Sequence, residues 1–560
     1  MLIGSMNLRN TWAAIAVFSA VAVSGATATG IVYEDVDRNG LRGANEPGVA
    51  NVAVSNGVDV VPTDADGRYE IDVDDQTIIF ITKPAGYMTP VDGQMLPRFY
   101  YIHQPDGSPP GLRYAGIAPT GDLPASVDFA LVRVDEPAKF EALLFADTQP
   151  QTSVEIDYIR DDLVAELVGT KARFGITLGD IMFDDMSLFP RYNSVIAQIG
   201  IPWYNVPGNH EINLLAPDDR YSLETYKRHF GPPYYSFDYA RGHFVVLDNI
   251  FYQGNGQSDP GEYRGNGGYE GRITTEQLKW LENDLDLVPR DKLVFLAMHS
   301  PLQSYLGTET VNRRALFRLL RGREHLYAVA GHTHTTEHVY FDRDDGFPAP
   351  GTLHHHVLAT VSGSWWSGPI DERGIAVAEQ QDGTPNGYHV LEVDGVDVTV
   401  RYKAAGKPDD FQMRIMFDAA HHHHSGDGQR DYRPGDLLDG RMNVDAVAAT
   451  RVVVNLFDGG PNSTVHFSIG ARPAQAMSKV FEIDPYVNEL FLRHEATKKS
   501  WVDATPSSHI WVADLPDDLG PGTYTMTVEA QDEFGRIHHA HKVLEIEGSS
   551  ALPTTLRYAE

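Results

Sequence analysis

Leu143-Leu144-Phe145-Ala146-Asp147-Thr148-Gln149 decides the fold. An apolar run of strand length passes directly into a carboxylate, a hydroxyl and an amide. The same transition recurs four times downstream. Phe174 to Leu178 leads to Gly179-Asp180, and Ile201 to Val206 leads to Pro207-Gly208-Asn209-His210-Glu211. Leu293 to Met298 leads to His299, and Leu326 to Ala330 leads to Gly331-His332-Thr333-His334. Amphipathic segments lie between these runs. Ile159, Leu163 and Leu167 share one helical face, and Thr274 with Gln277 makes a capping-box pair ahead of Leu278, Leu281 and Leu285 in a helix predicted over 274–288. Strands alternating with helices over residues 138–405 predict layered α/β structure. Ligands of open α/β sheets gather outside the carboxyl ends of the strands, so five such ends in one sheet would aim their polar residues into one site.

Outward from this domain the pattern changes. Residues 30–134 carry short alternating runs at 30–33, 52–55, 67–73 and 78–81, separated by Gly, Pro and Asp turns, which predicts an all-β domain ended by the linker at Pro137. Residues 408–550 return to short β patterns at 451–457, 463–469, 508–515, 522–530 and 541–546, read most simply as a β-sandwich. His421 to His424, beside Gly and Asp, read as a linker rather than a site of defined geometry.

Residues 1–28 read as an export leader. Arg9 supplies the positive start, residues 11–23 are almost wholly apolar, and Ala26-Thr27-Ala28 offers a cleavage site of small residues. The apolar run falls short of the roughly 20 residues a membrane-spanning helix needs, and no later segment is apolar enough to span. The chain has no cysteine, which excludes disulfides and thiol catalysis. An exported protein, periplasmic or secreted, is therefore expected. Its 560 residues, 42% hydrophobic and 22% charged, exclude wholesale disorder and fibrous folds and predict several domains. The 45 basic and 77 acidic residues leave a net charge of −32, which repels a nucleic-acid duplex and an anionic membrane face.

The residue types at the five strand ends fit a pair of divalent cations. Two cations about 3.5–4 Å apart need a bridging group to offset their repulsion, and Asp180 is the natural bridge. Asp147, Gln149 and one histidine of the Gly331–His334 loop would complete one site. Asn209, His299 and the other histidine would complete the second. A mixed imidazole, amide and carboxylate shell suits Mn, Fe, Zn or Co better than a calcium cage. Two divalent ions set against two carboxylates and a hydroxide leave a residual positive charge, a local trap for phosphate in an otherwise acidic chain.

The ordered set of Asp-Thr-Gln, Gly-Asp, Gly-Asn-His-Glu, His and Gly-His-Thr-His resembles the calcineurin-like metallophosphoesterases. The segments Gly179 to Asp185, Tyr234 to Tyr239, Gly363 to Trp366 and Asp382 to Tyr388 resemble an exported subgroup with accessory domains on both sides. The resemblance implies a four-layer αββα catalytic domain between two β-sandwich modules. It implies Asp147, Gln149, Asp180 and His334 at the first metal, and Asp180, Asn209, His299 and His332 at the second. His210 would protonate the leaving-group oxygen or steady the phosphate, and hydroxide held by the metals would attack phosphorus in line. The commoner pattern has histidine where this chain has Gln149. A neutral amide oxygen is a harder, weaker donor, which implies a looser first site tilted toward Mn or Mg.

The expected reaction is hydrolysis of a phosphomonoester or phosphodiester. The rivals are a nucleotidase or pyrophosphohydrolase acting on a phosphoanhydride, and a surface-binding protein with a vestigial core. Trp365 and Trp366, flanked by Gly and Ser, are candidates for lining the substrate cleft. Asp184 and Asp185 read as a solvated loop pair, and His354, His355 and His356 as support behind the catalytic loops or as a strand of alternating burial. Asp35, Asp37, Asn39 and Glu46, with Gly40 at the sixth position, fit the oxygen-ligand spacing of a calcium loop. Non-helical flanks make it resemble the calcium loop of small β-domains in bacterial surface proteins rather than an EF-hand pair, and its role would be structural.

Overall fold

The computed structural model describes residues 25–254, 268–348, 351–419 and 437–548. Residues 1–24 of the segment read as a leader, most of the segment between Tyr252 and Gly268, and the His421 to His424 run lie outside the described residues. Among the described residues, no helix is long and apolar enough to cross a membrane.

The strands Lys139–Phe145, Gly175–Leu178 and Trp203–Val206 lie parallel in a five-stranded sheet, which Gly387–Asp394 and Asp397–Ala404 extend antiparallel. The strands Leu293–Ala297 and Leu326–Ala330 belong to a separate six-stranded sheet with Tyr235–Tyr239, Gly242–Val246, Glu337–Phe341 and Leu353–Val357. The five ligand-bearing ends thus come from two sheets, three from one and two from the other, not from a single sheet as expected. Strand–helix alternation reads the same in either case. The break is set by the hairpin of Tyr235–Tyr239 with Gly242–Val246, which starts the second sheet.

The two sheets share one apolar core. Leu144, Ile176 and Leu178 meet Phe244, Phe295 and Val329 in it, while Leu143 and Phe145 on the opposite face pack with Ile156, Ile159, Leu163 and Phe189. The helix Thr275–Asp286 buries Trp280, Leu281 and Leu285. Its N-cap is Thr274, whose Oγ1 accepts from the Gln277 backbone N–H at 3.3 Å. Gln277 turns its amide to Asp248, accepting from its N–H at 3.0 Å and donating to its carbonyl at 2.6 Å. The side chain expected to complete the cap instead fastens the helix to a neighbouring loop.

Two four-stranded sheets precede this domain. Ala26–Glu34 pairs with Arg68–Val73 from Ala26 onward and Ala28 is buried, so ordered structure runs through the boundary read at residues 28–30. Alanine and threonine serve a cleavage motif and a strand equally well. The module docks on the catalytic domain through Asp238 N–H to the Lys83 carbonyl, Tyr234 O–H to the Gly57 carbonyl, and Phe80 against Trp280.

After the catalytic domain come two five-stranded sheets and a helix, Pro485–Arg493, where only strands were expected. Asp484 caps that helix by accepting from Val487 N–H, and Pro485 opens it at a position that needs no donor. The junction is polar and buried. Arg414 pairs with Glu379 at 2.9 Å and donates to the Gly383 carbonyl, and His509 lies 3.0 Å from Asp382.

Candidate metal centre

Each ligating residue type follows the carboxyl end of a strand, and the chain must turn sharply there to aim its side chain inward. The backbone records that demand. Asp147, Gln149, Asp180, His332 and His334 all adopt positive φ, between 36° and 77°, a region that non-glycine residues enter only when the surroundings impose it. Glycines supply the clearance. A Cβ on Gly208 would stand 2.3 Å from Asp180 Oδ1, and one on Gly331 would stand 2.2 Å from Asp147 Oδ2.

Around Asp180 Oδ1 the acceptors crowd. His299 donates its Nδ1–H to the Leu178 carbonyl at 2.7 Å, which leaves Nε2 as the inward atom. That Nε2 lies 3.2 Å from Asp180 Oδ1, 3.0 Å from Asn209 Oδ1 and 3.1 Å from His332 Nδ1. Four nitrogen and oxygen atoms at such distances have the chemistry and spacing to hold a cation.

On the other side of Asp180, Gln149 donates its amide N–H to Oδ2 at 2.9 Å, while its Oε1 is buried with no hydrogen-bond partner among the described residues. His334 donates Nδ1–H to the Gly363 carbonyl and turns Nε2 to within 3.7 Å of Asp147 Oδ1. An orphaned amide oxygen, two carboxylates and a free imidazole nitrogen fit a second cation. The seven residues read as ligands from the sequence lie in one neighbourhood around Asp147 and Asp180.

Burial in a field of carboxylates separates the titrations. Burial pushes Asp147 up to about 7 against the pull of His299, and pushes Glu211 up to about 8 with help from Asp180. Burial acts on Asp180 in the same direction, but His299 and His210 outweigh it and hold that carboxyl well below its usual range. Burial opposes protonation of His299, yet Asp180 carries it to about 9, whereas burial and the charge of His299 press His332 down to about 3. Such divergence among neighbours marks functional sites.

His210 is placed by its own backbone N–H, which donates to Asp180 Oδ1 at 3.0 Å, and by its ring Nδ1, 2.7 Å from Asp184 Oδ1. Asp184, read as half of a solvated pair, keeps its side chain 41% exposed and is also the carboxylate that orients this imidazole. Glu211 is a second residue of the site that the sequence does not mark out. It is fully buried and accepts backbone N–H bonds from Ile181, Met182 and Gly208, tying together the loops that carry Asp180 and Asn209. Its place in Gly-Asn-His-Glu was the only available signal.

The tryptophan pair divides. Trp365 stacks on the His334 ring at 3.7 Å. Trp366, expected at the cleft, is 4% exposed, donates its indole N–H to the Thr148 carbonyl and packs on Tyr158 in the core. The substrate-lining reading is corrected for Trp366: adjacent residues, both at φ 55°, point to opposite sides of the loop. Sequence reasoning missed Trp501, which comes from the C-terminal module and is 47% exposed. It stacks on Phe183 at 5.7 Å, and Phe183 in turn lies 4.6 Å from the His210 ring. Tyr269 lies on the His332 side, 6.2 Å from that ring.

Away from this centre, Asp35, Asp37 and Glu46 draw together in the N-terminal loop. Asp35 accepts from Asn39 and Gly40 N–H groups, Glu46 from Val36 and Gly43, and Asn39 donates its side-chain amide to Asp37. His355 accepts the Leu302 N–H at Nε2, on the loop that follows His299.

The family model for the calcineurin-like phosphoesterase matches residues 143–336, that for its N-terminal part residues 36–114, and that for its C-terminal part residues 355–538. No curated protein matches the chain. Among solved structures the chain is similar to the purple acid phosphatase PPD1 of yellow lupin (Lupinus luteus) seeds, at 14% identity over 68% of this chain and 67% of that one, with a TM-score of 0.34. Matched in order through its centre and both flanks, the chain belongs to the calcineurin-like phosphoesterases and is a metal-dependent hydrolase of phosphoric ester bonds.

Proposed function

We propose that this protein hydrolyses phosphomonoesters or phosphodiesters at a dinuclear centre, with Asp147, Gln149, Asp180 and His334 around one cation and Asp180, Asn209, His299 and His332 around the other. The observation that carries the assignment is Gln149 Oε1, a buried acceptor with nothing to accept from, beside the Asp180 carboxylate. When bound, the ions supply Lewis acidity toward the phosphoryl oxygens and an activated water. The chain's own residues do the rest. Asp184 takes the Nδ1 side of His210, so Nε2 is the face that presents a proton to the leaving oxygen. Phe183, Trp501 and Tyr269 form an aromatic rim for the organic group of the ester.

We read the central sheets and their helices as four αββα layers, the flanks as sandwiches, and the loop of Asp35, Asp37, Asn39 and Glu46 as a structural calcium site. The leader motif supports export to the periplasm or beyond. Because Ala28 is buried in the first strand, processing would fall upstream of it.

The test is metal analysis with a panel of a bis-aryl phosphate, an aryl monophosphate and a nucleoside diphosphate, each with and without Mn. Preferred turnover of the esters supports the proposal. Preferred turnover of the diphosphate favours a pyrophosphohydrolase. A chain that holds less than one transition metal and stays inert after Mn addition favours a vestigial core.

A further inference from the structure

A second group of imidazoles lies where both catalytic sheets meet the C-terminal module. His338 and His356 face each other directly on the paired strands Glu337–Phe341 and Leu353–Val357 of the six-stranded sheet. His389 comes from Gly387–Asp394 of the five-stranded sheet, and Asp458 follows Arg451–Leu456 of the C-terminal module. Three Nε2 atoms close on one carboxylate oxygen, Asp458 Oδ1, at 3.5 Å for His338, 2.8 Å for His356 and 3.5 Å for His389. The three imidazole side chains are wholly buried and that of Asp458 is 9% exposed.

Hydrogen bonding accounts for only part of this arrangement. His356 sets Nδ1 3.0 Å from Tyr327 Oη and Nε2 against Asp458. His338 sets Nδ1 2.9 Å from His354 Nε2 and Nε2 3.2 Å from the Asp458 carbonyl. Among the described residues neither ring nitrogen of His389 has a hydrogen-bond partner. A buried imidazole stripped of water and given no partner is costly, and one carboxylate cannot serve three such rings.

A cation removes the conflict. Ligand atoms of a tetrahedral site with bonds of about 2.0–2.1 Å stand about 3.3 Å apart; those of His338, His356 and Asp458 lie within 4.8 Å of one another, and His389 brings Nε2 to 3.5 Å from the same carboxylate oxygen. The outer contacts of His338 and His356, to His354 and Tyr327, are the bonds that hold an imidazole in a ligating tautomer. We infer that His338, His356, His389 and Asp458 form a third metal site, structural rather than catalytic, for zinc or a similar transition ion, and that it clamps both catalytic sheets to the C-terminal module. Four protein ligands leave no open position for a substrate. In a chain with no cysteine, this is the cross-link between domains that a disulfide cannot supply.

The inference does not depend on the assignment of the catalytic ligands. Its test uses the full chain with Asp180→Ala and His299→Ala to disable the catalytic pair, and His421→Ser, His422→Ser, His423→Ser and His424→Ser to remove adventitious binding. Purified from zinc-supplemented culture, this chain is expected to retain about one zinc per molecule, and with cobalt in its place to show the strong visible absorption of a tetrahedral ion. Adding His389→Gln should empty the site, and stripping zinc from the parent should lower its thermal midpoint until zinc is restored. A parent chain that holds no zinc, or a His389→Gln chain that holds as much as its parent, overturns the inference. The cobalt spectrum is read on the parent alone, so a failure of His389→Gln to fold does not shield it.

Discussion

The two histidine clusters use one chemistry on two kinds of backbone. At the candidate catalytic centre the proposed ligands follow strand ends, five of the seven at positive φ, with His332 and the neighbouring His210 only partly buried. At the domain junction the three imidazoles stand in mid-strand on regular backbone, and the fourth ligand is lent by another module. The first arrangement stores local strain and leaves room for a substrate. The second stores none and closes its shell. His243 supplies the contrasting case. It is fully buried between Asp238 at 2.8 Å and Asp284 at 2.9 Å, with Lys292 beyond Asp238. Two carboxylates to one imidazole hold a proton, whereas one carboxylate to three imidazoles calls for a metal.

The largest effect expected from that contrast is on turnover. Asp180→Ala removes the only carboxylate shared by both proposed ions, and kcat should fall by about 10⁴-fold or more, the scale on which loss of a core catalytic group acts. A variant that keeps most of its rate would break the ligand assignment. Asp458→Asn should do the reverse. Its expected cost is about 3–5 kcal/mol of stability, as for a buried charge separated from its partners, with kcat of the folded fraction nearly unchanged. Urea unfolding beside single-turnover assays distinguishes the two. His243 gives a pH-dependent signature that does not involve a metal. Burial opposes its charge, but Asp284 and Asp238 raise its pKa to about 9 from an ordinary value near 6.5. Its stabilisation, about 3 kcal/mol, is then fully present below about pH 6.5 and lost as pH rises through about 9. Wild type should exceed His243→Gln in urea midpoint at pH 6, and the gap should narrow by pH 9.5. A gap that stays constant would show that His243 is neutral in the fold.

The difference between the clusters also explains what could be read from sequence. Asp147, Asp180, Asn209, His299, His332 and His334 were legible because each follows an apolar run, so order along the chain stands in for position in space. His338, His356 and His389 carry no such mark. They alternate with strand residues as any half-buried position does, and Asp458 lies a domain away. The assignment of five ends to one sheet failed for the same reason, since register between distant strands leaves no local trace. Trp366 misled because two adjacent tryptophans give no sign of which one turns inward.

Asp184 sharpens the catalytic side. Among the described residues its side chain hydrogen-bonds to His210 and to none of the proposed metal ligands, so Asp184→Asn should lower kcat by about 10- to 100-fold while the bound metal count is unchanged. Loss of metal together with rate would make it part of the metal shell instead. The smallest effect belongs to Trp501, where the C-terminal module reaches the catalytic rim. Because it is half-exposed, stacks on Phe183 and meets Trp365 only edge-on at 6.4 Å, its removal should leave the metals and the core intact. Trp501→Ala is expected to raise KM for an aryl phosphate by about 3- to 10-fold, the value of one aromatic contact, with kcat held within about twofold. KM for a small alkyl phosphate should not move, because an ester without a ring has nothing to stack. Equal losses on both substrates would mean that Trp501 braces the domain junction and does not contact the substrate.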